Sequence, residues 1–292
     1  MIDFKHEYES CRMLIEHELE CCFKQNEPQK GLFEAMRYSL LAGGKRVRPV
    51  LVLKFCEACG GDIKKAMPFA LGIEMLHTYS LIHDDLPCMD NDELRRGKPS
   101  NHIVFGEYTA VLAGDALLTE AFSTLLSADL SADACVSAGR VLADAAGCMG
   151  MCGGQFLDME GEGWDLNAEA ISAIHERKTA ALIRAAARLG VIAGAGTEDQ
   201  FEAATEYADA IGLAFQLRDD ILDILSTAER LGKSVGKDFK SGKSTFASVY
   251  GADECERMIL EKTEGAKSAI ASSFNNTDFL NCLADNLAER LY

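Results

Sequence analysis

Residues 211–225, IGLAFQLRDDILDIL, set three aspartates into an otherwise apolar run. At about 100° per residue, Asp219 and Asp223 lie about 40° apart on one face of a helix. Carboxylates at 219, 220 and 223 beside Phe215, Leu217, Ile221, Leu222 and Ile224 cost free energy unless something cationic compensates them. The surroundings favour a long helix. All 5 prolines (Pro28, Pro49, Pro68, Pro87 and Pro99) precede residue 100. Beyond them alanine, leucine, glutamate and aspartate dominate, with few alternating β-branched runs, a composition suited to unbroken helices. There is no βαβ alternation and no fixed-period repeat. The expected fold is all-α.

A second acid cluster lies more than a hundred residues upstream, in Leu81–His102, LIHDDLPCMDNDELRRGKPSNH. Asp84, Asp85 and Asp90 are followed at once by Arg95 and Arg96. Crowded carboxylates raise one another's pKa. A hard divalent cation with oxygen ligands removes that cost, and Mg2+ uses one or two carboxylates together with substrate phosphates. Adjacent arginines offer planar forks for phosphate oxygens. Alone, the first cluster is read equally well as a solvated charged loop. Two such clusters, each ending an apolar helix, read as two jaws of one metal site. Pro87 should end the first helix near Leu86, and the chain must then loop to return Asp90 to Asp84.

The composition sets bounds. The 292 residues allow one large domain or two. A net charge of -17 argues against nucleic acid and against an anionic membrane surface. No uninterrupted apolar run of membrane-spanning length is read. The charged start, MIDFKHEYESCRMLIEHELECC, does not resemble an export signal. With 11 cysteines, an odd count, it points to a reduced, cytoplasmic protein with mostly buried thiols.

Along the chain, residues 2–26 read as an amphipathic helix, and Leu32–Leu41 as a second one stopped at Gly43 and Gly44. In GGKRVRP, Lys45, Arg46 and Arg48 form a basic knot, with Pro49 suited to the first turn of a helix over 50–58. A phosphate pocket and a solvated basic loop are both open readings of it. Met67–Leu86 reads as a helix with His77 about two turns before Asp84; a buried core histidine is the alternative. Helices are expected over the stretch from Gly106, over 132–150, over His175–Arg188 (HERKTAALIRAAAR) and over Phe201–Leu225. Gly153, Gly154, Gln155 and Asp158 make a polar patch on an inward face. One or two packing helices fill the last forty residues.

Two motifs point elsewhere and fail. GKSVGKDFKSGKST (232–245) has five residues between Gly236 and Gly242 where a P-loop needs four, and it follows a helix. Cys56 with Cys59, and Cys148 with Cys152, could suggest a zinc site. Both pairs lie in apolar helical sequence and read as buried free thiols.

Taken together, GGKRVRP, HDDLPCMDNDELRRGKPSNH, GDALL, GGQFLDM, HERKTAALI, FQLRDDILD and GKSVGKDFKSGKST resemble, in order, the trans-isoprenyl diphosphate synthases, specifically the bacterial farnesyl type. The resemblance covers nearly the whole chain. It implies a single domain over 1–292, an isoprenoid-synthase-like helical bundle around a deep central cavity, and a homodimer. It implies Mg2+, three ions per site, on Asp84 and Asp90 with Asp85 nearby, joined by Asp219. Lys45, Arg48, His77 and Arg96 should hold the diphosphate of isopentenyl diphosphate. Arg95, Lys178, Thr179, Gln216, Lys233 and Lys243 should surround the allylic diphosphate, with Lys237 in the same loop. The implied reaction condenses isopentenyl diphosphate with dimethylallyl and geranyl diphosphate, head to tail, to (2E,6E)-farnesyl diphosphate. Tyr79, about 7.5 Å below Asp84 along the helix, and Ser80 should limit chain length. Geranylgeranyl or geranyl diphosphate synthesis is the nearest alternative. A terpene cyclase would not need Lys45, Arg48 and Arg96, and a non-catalytic partner subunit would be expected to lack one acid cluster.

Overall fold

A computed structural model describes residues 3–24, 27–230 and 244–289, the last eight of the 27–230 span by backbone alone. The described chain is helical apart from one hairpin of two-residue strands. It forms two compact units. The first comprises Lys5–Arg140 with Leu189–Ala195; the second comprises Val141–Arg188 and Gly196–Tyr292 with Met1–Phe4.

In the first unit, α1 (Phe4–Cys21) buries Cys11, Ile15 and Leu19, one stripe at helical spacing. It is followed by α2 (Lys30–Leu40), α3 (Val47–Ala58) and α4 (Ile63–Asp84). Helix α4 is the pillar. Asp62 caps it by accepting from the Lys64 N–H at 2.9 Å. Its buried residues run almost all round, from Ala66 to Ile82. They pack on α3 and on α6 (Glu107–Leu126). A helix apolar on every side belongs in a core. The hairpin β1 (Leu94–Arg95) and β2 (Lys98–Pro99) and the short α5 (Asn101–Phe105) follow α4.

In the second unit, α8 (Met151–Glu160), α9 (Ala168–His175) and α10 (Ala181–Ala193) precede the 33-residue α11 (Glu198–Arg230). Then come α12 (Phe246–Tyr250), α13 (Ala252–Ala271) and α14 (Asp278–Glu289). Ile171, Ala214, Leu217, Ile221, Phe246, Cys255 and Ile259 form one buried cluster under α11. Each large apolar side chain there contributes about 1.5–3 kcal/mol by leaving water. Helices α7 (Ala132–Ala146) and α10 each carry the chain from one unit into the other.

Several expectations need correction. Helix α3 starts at Val47, so Pro49 is its third residue; it still falls within the first turn, where no N–H is required. The helix expected over 132–150 stops at Ala146, whereas the last forty residues carry the two packing helices α13 and α14, as expected. Cys148, in the break between α7 and α8, and Cys152, in the first turn of α8, are both exposed; Cys56 is buried, its thiol pushed up to about 12 by burial. One described helix, α6, is long and apolar enough to cross a membrane by length and composition. Only 33% of its most apolar window is buried.

Candidate active site

Three separate pieces of sequence build the basic end of the first unit. Helix α4 stops at Asp84, and Pro87 lies just beyond. The chain then folds back. Met89 N–H donates to Leu86 O at 2.9 Å, Asp90 N–H to Asp84 O at 2.9 Å, and Asp92 N–H to Asp85 O at 3.2 Å. The two residues added between the acids therefore form a turn that sets Asp90 beside Asp84, as the spacing required.

The hairpin then turns on Arg96 (φ 53) and Gly97 (φ 75), with Arg95 paired to Lys98. Two consecutive positive φ angles match the twist of a two-residue hairpin. Arg96 reaches the carbonyl of Gly43. Gly44, at φ 134, makes room for it: a Cβ there would stand 2.8 Å from the Arg96 Cζ. The GG of GGKRVRP is thus a slot for an arginine 52 positions on.

The basic knot divides in two. Arg46 is internal: its Nε donates to Glu16 Oε1 at 2.8 Å, its Nη2 to Leu40 O at 2.7 Å, and its Nη1 to Glu74. Lys45 is exposed, and its carbonyl accepts from Tyr8 OH at 2.6 Å. Arg48 is half-buried, and its Nε is enclosed with no hydrogen-bond partner. Burial, then the charge of Arg96, lowers Arg48 to about 10 against the pull of Glu74. Burial and the charges of Arg46 and Arg95 lower Arg96 as well. Burial first, then Arg48, Arg96, Arg46 and Arg95, drive His77 well below the ordinary histidine value. Groups held down by neighbouring cations describe a place short of negative charge. Glu74 was missed from sequence; a lone acid inside the apolar run of α4 is the signal that could have found it.

Asp85 is 2% exposed. Its Oδ1 accepts from Arg95 Nε at 2.9 Å and also from Arg95 Nη2. Burial raises the Asp85 carboxyl against the opposing effect of Arg95. Tyr79 is buried and lies edge-on to His83, ring centres 5.6 Å apart; Ser80 Oγ donates to His77 O at 2.9 Å.

In the second unit the expected straight helix over HERKTAALI is broken. Glu176–Ala180 is a π-turn between α9 and α10. Such single turns cluster at functional sites, and this one holds Lys178 and Thr179. It packs closely on α8: a Cβ on Gly154 would stand 2.2 Å from the Lys178 backbone N. Lys178 Nζ donates to Asp158 Oδ2 at 2.6 Å. Thr179 Oγ1 donates to Gln216 Oε1 at 3.4 Å, and Gln216 Nε2 donates to Asp220 Oδ1 at 2.9 Å. Asp220 is 3% exposed, and its Oδ2 accepts the Phe246 N–H at 2.8 Å. Asp219, beside it, is half-buried. Asp158, Lys178, Thr179, Gln216, Asp220 and Thr245 line a cleft of about 180 Å³. The sequence placed Asp220 only in the acid cluster and Asp158 only in an inward polar patch; their contacts with Gln216 and Lys178 were not foreseen. Both amide atoms of Gln155, in the patch expected to face inward, are enclosed without a partner. Lys233, Lys237 and Lys243 lie outside the described residues.

Among the described residues no three His, Cys, Asp or Glu groups stand together as a ready-made metal cage. Magnesium does not need one, since it keeps waters and takes substrate phosphate oxygens beside one or two carboxylates. Asp84 and Asp90, set together by the turn, offer that donor set.

The polyprenyl synthetase family profile matches residues 29–277. The chain is 43% identical over 279 residues to the farnesyl diphosphate synthase of Bacillus subtilis, covering 94% of each. It is 52% identical over 258 residues to the chloroplastic heterodimeric geranylgeranyl pyrophosphate synthase large subunit 1 of Arabidopsis thaliana, covering 85% of this chain and 68% of that one. The apo crystal structure of an FPP/GFPP synthase from Zymomonas mobilis superposes with a TM-score of 0.87 at 33% identity, covering 98% of this chain and 99% of that one.

An all-helical fold with two acid clusters and basic partners is that of a trans-prenyltransferase. The chain belongs to the polyprenyl synthetase family, whose substrates are isoprenyl diphosphates.

Proposed function

We propose that this enzyme makes (2E,6E)-farnesyl diphosphate, adding isopentenyl diphosphate head to tail to dimethylallyl and then geranyl diphosphate. The observation that carries the diphosphate assignment is geometric: Arg96 is seated on the Gly43 carbonyl in the slot left by Gly44, and the Arg48 Nε is enclosed without a hydrogen-bond partner. With Lys45 and His77 they hold the diphosphate of isopentenyl diphosphate. His77, kept neutral, serves as a hydrogen-bond donor. Arg95, Lys178, Thr179, Gln216, Lys233 and Lys243 surround the allylic diphosphate. Asp84, Asp90 and Asp219 hold Mg2+, three ions per site, with Asp85 alongside; the metal supplies charge neutralisation on the leaving oxygens. The guanidinium and ammonium groups add to that stabilisation as the allylic carbon–oxygen bond breaks. The double bond of isopentenyl diphosphate then attacks the allylic carbon, and a proton leaves to the released diphosphate.

Farnesyl length is argued from Tyr79 beside small Ser80. Geranylgeranyl diphosphate is the second reading, favoured by the 52% identity to a geranylgeranyl pyrophosphate synthase subunit. A homodimer in the cytoplasm fits the outward face of α6, where Tyr108, Val111, Leu112 and Leu126 are exposed. That they lie on one stripe at helical spacing suits a partner helix.

Incubation with isopentenyl and dimethylallyl diphosphates, with and without Mg2+, tests the reading. Gas chromatography of the dephosphorylated products should give the fifteen-carbon alcohol, and only with metal. A twenty-carbon alcohol would establish the second reading. Consumption of the allylic substrate without isopentenyl diphosphate would point to a cyclase.

A further inference from the structure

The two members of each aspartate pair have different surroundings. Asp84 and Asp219 are half-buried, whereas Asp85 and Asp220 are 2% and 3% exposed. Two N–H groups on one edge of the Arg95 guanidinium converge on Asp85 Oδ1. Both oxygens of Asp220 are engaged, one by Gln216 Nε2 at 2.9 Å and one by the Phe246 N–H at 2.8 Å. Asp220 thus has neither oxygen left for a hydrated cation, and Asp85, 2% exposed, has Oδ1 held twice by the Arg95 guanidinium.

We infer that Asp85 and Asp220 are positioning residues, one for Arg95 and the other for Gln216, rather than metal ligands. Asp85 holds one edge of Arg95, so the guanidinium plane is fixed while Nη1, which takes no part in these contacts, stays available to a diphosphate. Both Asp220 oxygens act as acceptors, one from Gln216 Nε2 and one from the Phe246 N–H, so Gln216 turns its NH2 toward residue 220. The amide oxygen must then face Thr179, whose hydroxyl it accepts at 3.4 Å. An asparagine at 220 could donate or accept and would leave the amide free to flip. The same acid fixes the first residue of α12. Thus each aspartate pair has one member engaged inside the fold, Asp85 by Arg95 and Asp220 by Gln216 and the Phe246 N–H.

The inference rests on the reading that Arg95 meets the allylic diphosphate and Gln216 the reacting end. Wild type, Asp84→Asn, Asp85→Asn and Asp220→Asn are compared in two measurements: equilibrium binding of geranyl diphosphate in metal-free buffer, and the Mg2+ concentration giving half-maximal condensation. Asp85→Asn should weaken metal-free binding about tenfold, the scale of a hydrogen bond to a charged group, without moving the Mg2+ requirement. Asp84→Asn should raise the Mg2+ requirement without weakening metal-free binding. Asp220→Asn should lower kcat at unchanged Mg2+ requirement. In Arg95→Lys and Gln216→Leu backgrounds the respective acid substitutions should add little, because the contact is already gone.

A raised Mg2+ requirement in Asp85→Asn or Asp220→Asn would overturn the inference, as would additive losses in the double variants. So would tighter metal-free binding in Asp85→Asn, which would mean that Asp85 restrains Arg95. An Arg95→Lys enzyme that binds geranyl diphosphate as wild type does would refute the Arg95 assignment itself. Should Asp85→Asn not fold, Asp220→Asn carries the same comparison through Gln216.

Discussion

His77 is an uncharged imidazole among guanidinium groups. Its folded-state pKa lies well below the usual 6.5. Above that pH both folded and unfolded chains leave it neutral, and the stability tied to the neutral form is fully present. As pH falls below about 6.5, the unfolded chain takes up a proton that the folded chain refuses, and stability is lost by up to about 1.4 kcal/mol per pH unit. His77→Gln should therefore lose less stability than wild type between pH 7.5 and 5.5. Urea unfolding of both proteins at the two pH values measures this, and equal losses would show that His77 titrates normally. Tyr79 carries a second residue-scale expectation. Tyr79→Ala opens the apolar path below Asp84, and the dephosphorylated products should shift from fifteen to twenty carbons or more. Only the fifteen-carbon alcohol from that variant would remove Tyr79 from the control of length. Small differences in an apolar pocket discriminate weakly, which is why relatives with different products remain so similar to this chain.

At the scale of elements, the sequence was most legible where pattern and chemistry coincided. The proline-free C-terminal stretch gave α11, and the spacing of Asp84, Pro87 and Asp90 gave the turn that follows α4. What stayed hidden depends on contacts between distant residues. The π-turn at 176–180 packs against α8 at Gly154, and nothing inside HERKTAALI signals it. Arg46 and Arg48 look alike in GGKRVRP, yet Glu16 and Glu74 claim the first and leave the second. The buried roles of Asp85 and Asp220 are hidden for the same reason, because a DD pair does not state which acid turns inward. Gly154→Ala tests the close approach. Its methyl group would meet the Lys178 backbone, costing about 1–3 kcal/mol and displacing Lys178 and Thr179. Thermal unfolding and kcat should both fall; unchanged values would show that α8 can move aside without cost.

At the scale of the whole molecule, α6 raises the question of assembly. It buries one side on α4 and α2 and shows apolar residues on the other, with Tyr108 78% and Leu112 51% exposed. A patch of this kind suits the subunit surface proposed above. Leu112→Glu should convert a dimer into a monomer in sedimentation velocity; an unchanged dimer would place the interface elsewhere. The central claim is that two remote acid motifs grip one diphosphate through shared magnesium. A crystal structure of the enzyme with Mg2+ and the thiolo analogue of geranyl diphosphate tests it most directly. The account predicts magnesium about 2.0–2.1 Å from Asp84 and from Asp219, with both sets of ions bound to the same diphosphate. A diphosphate whose metal ions touch only one of the two motifs would contradict it.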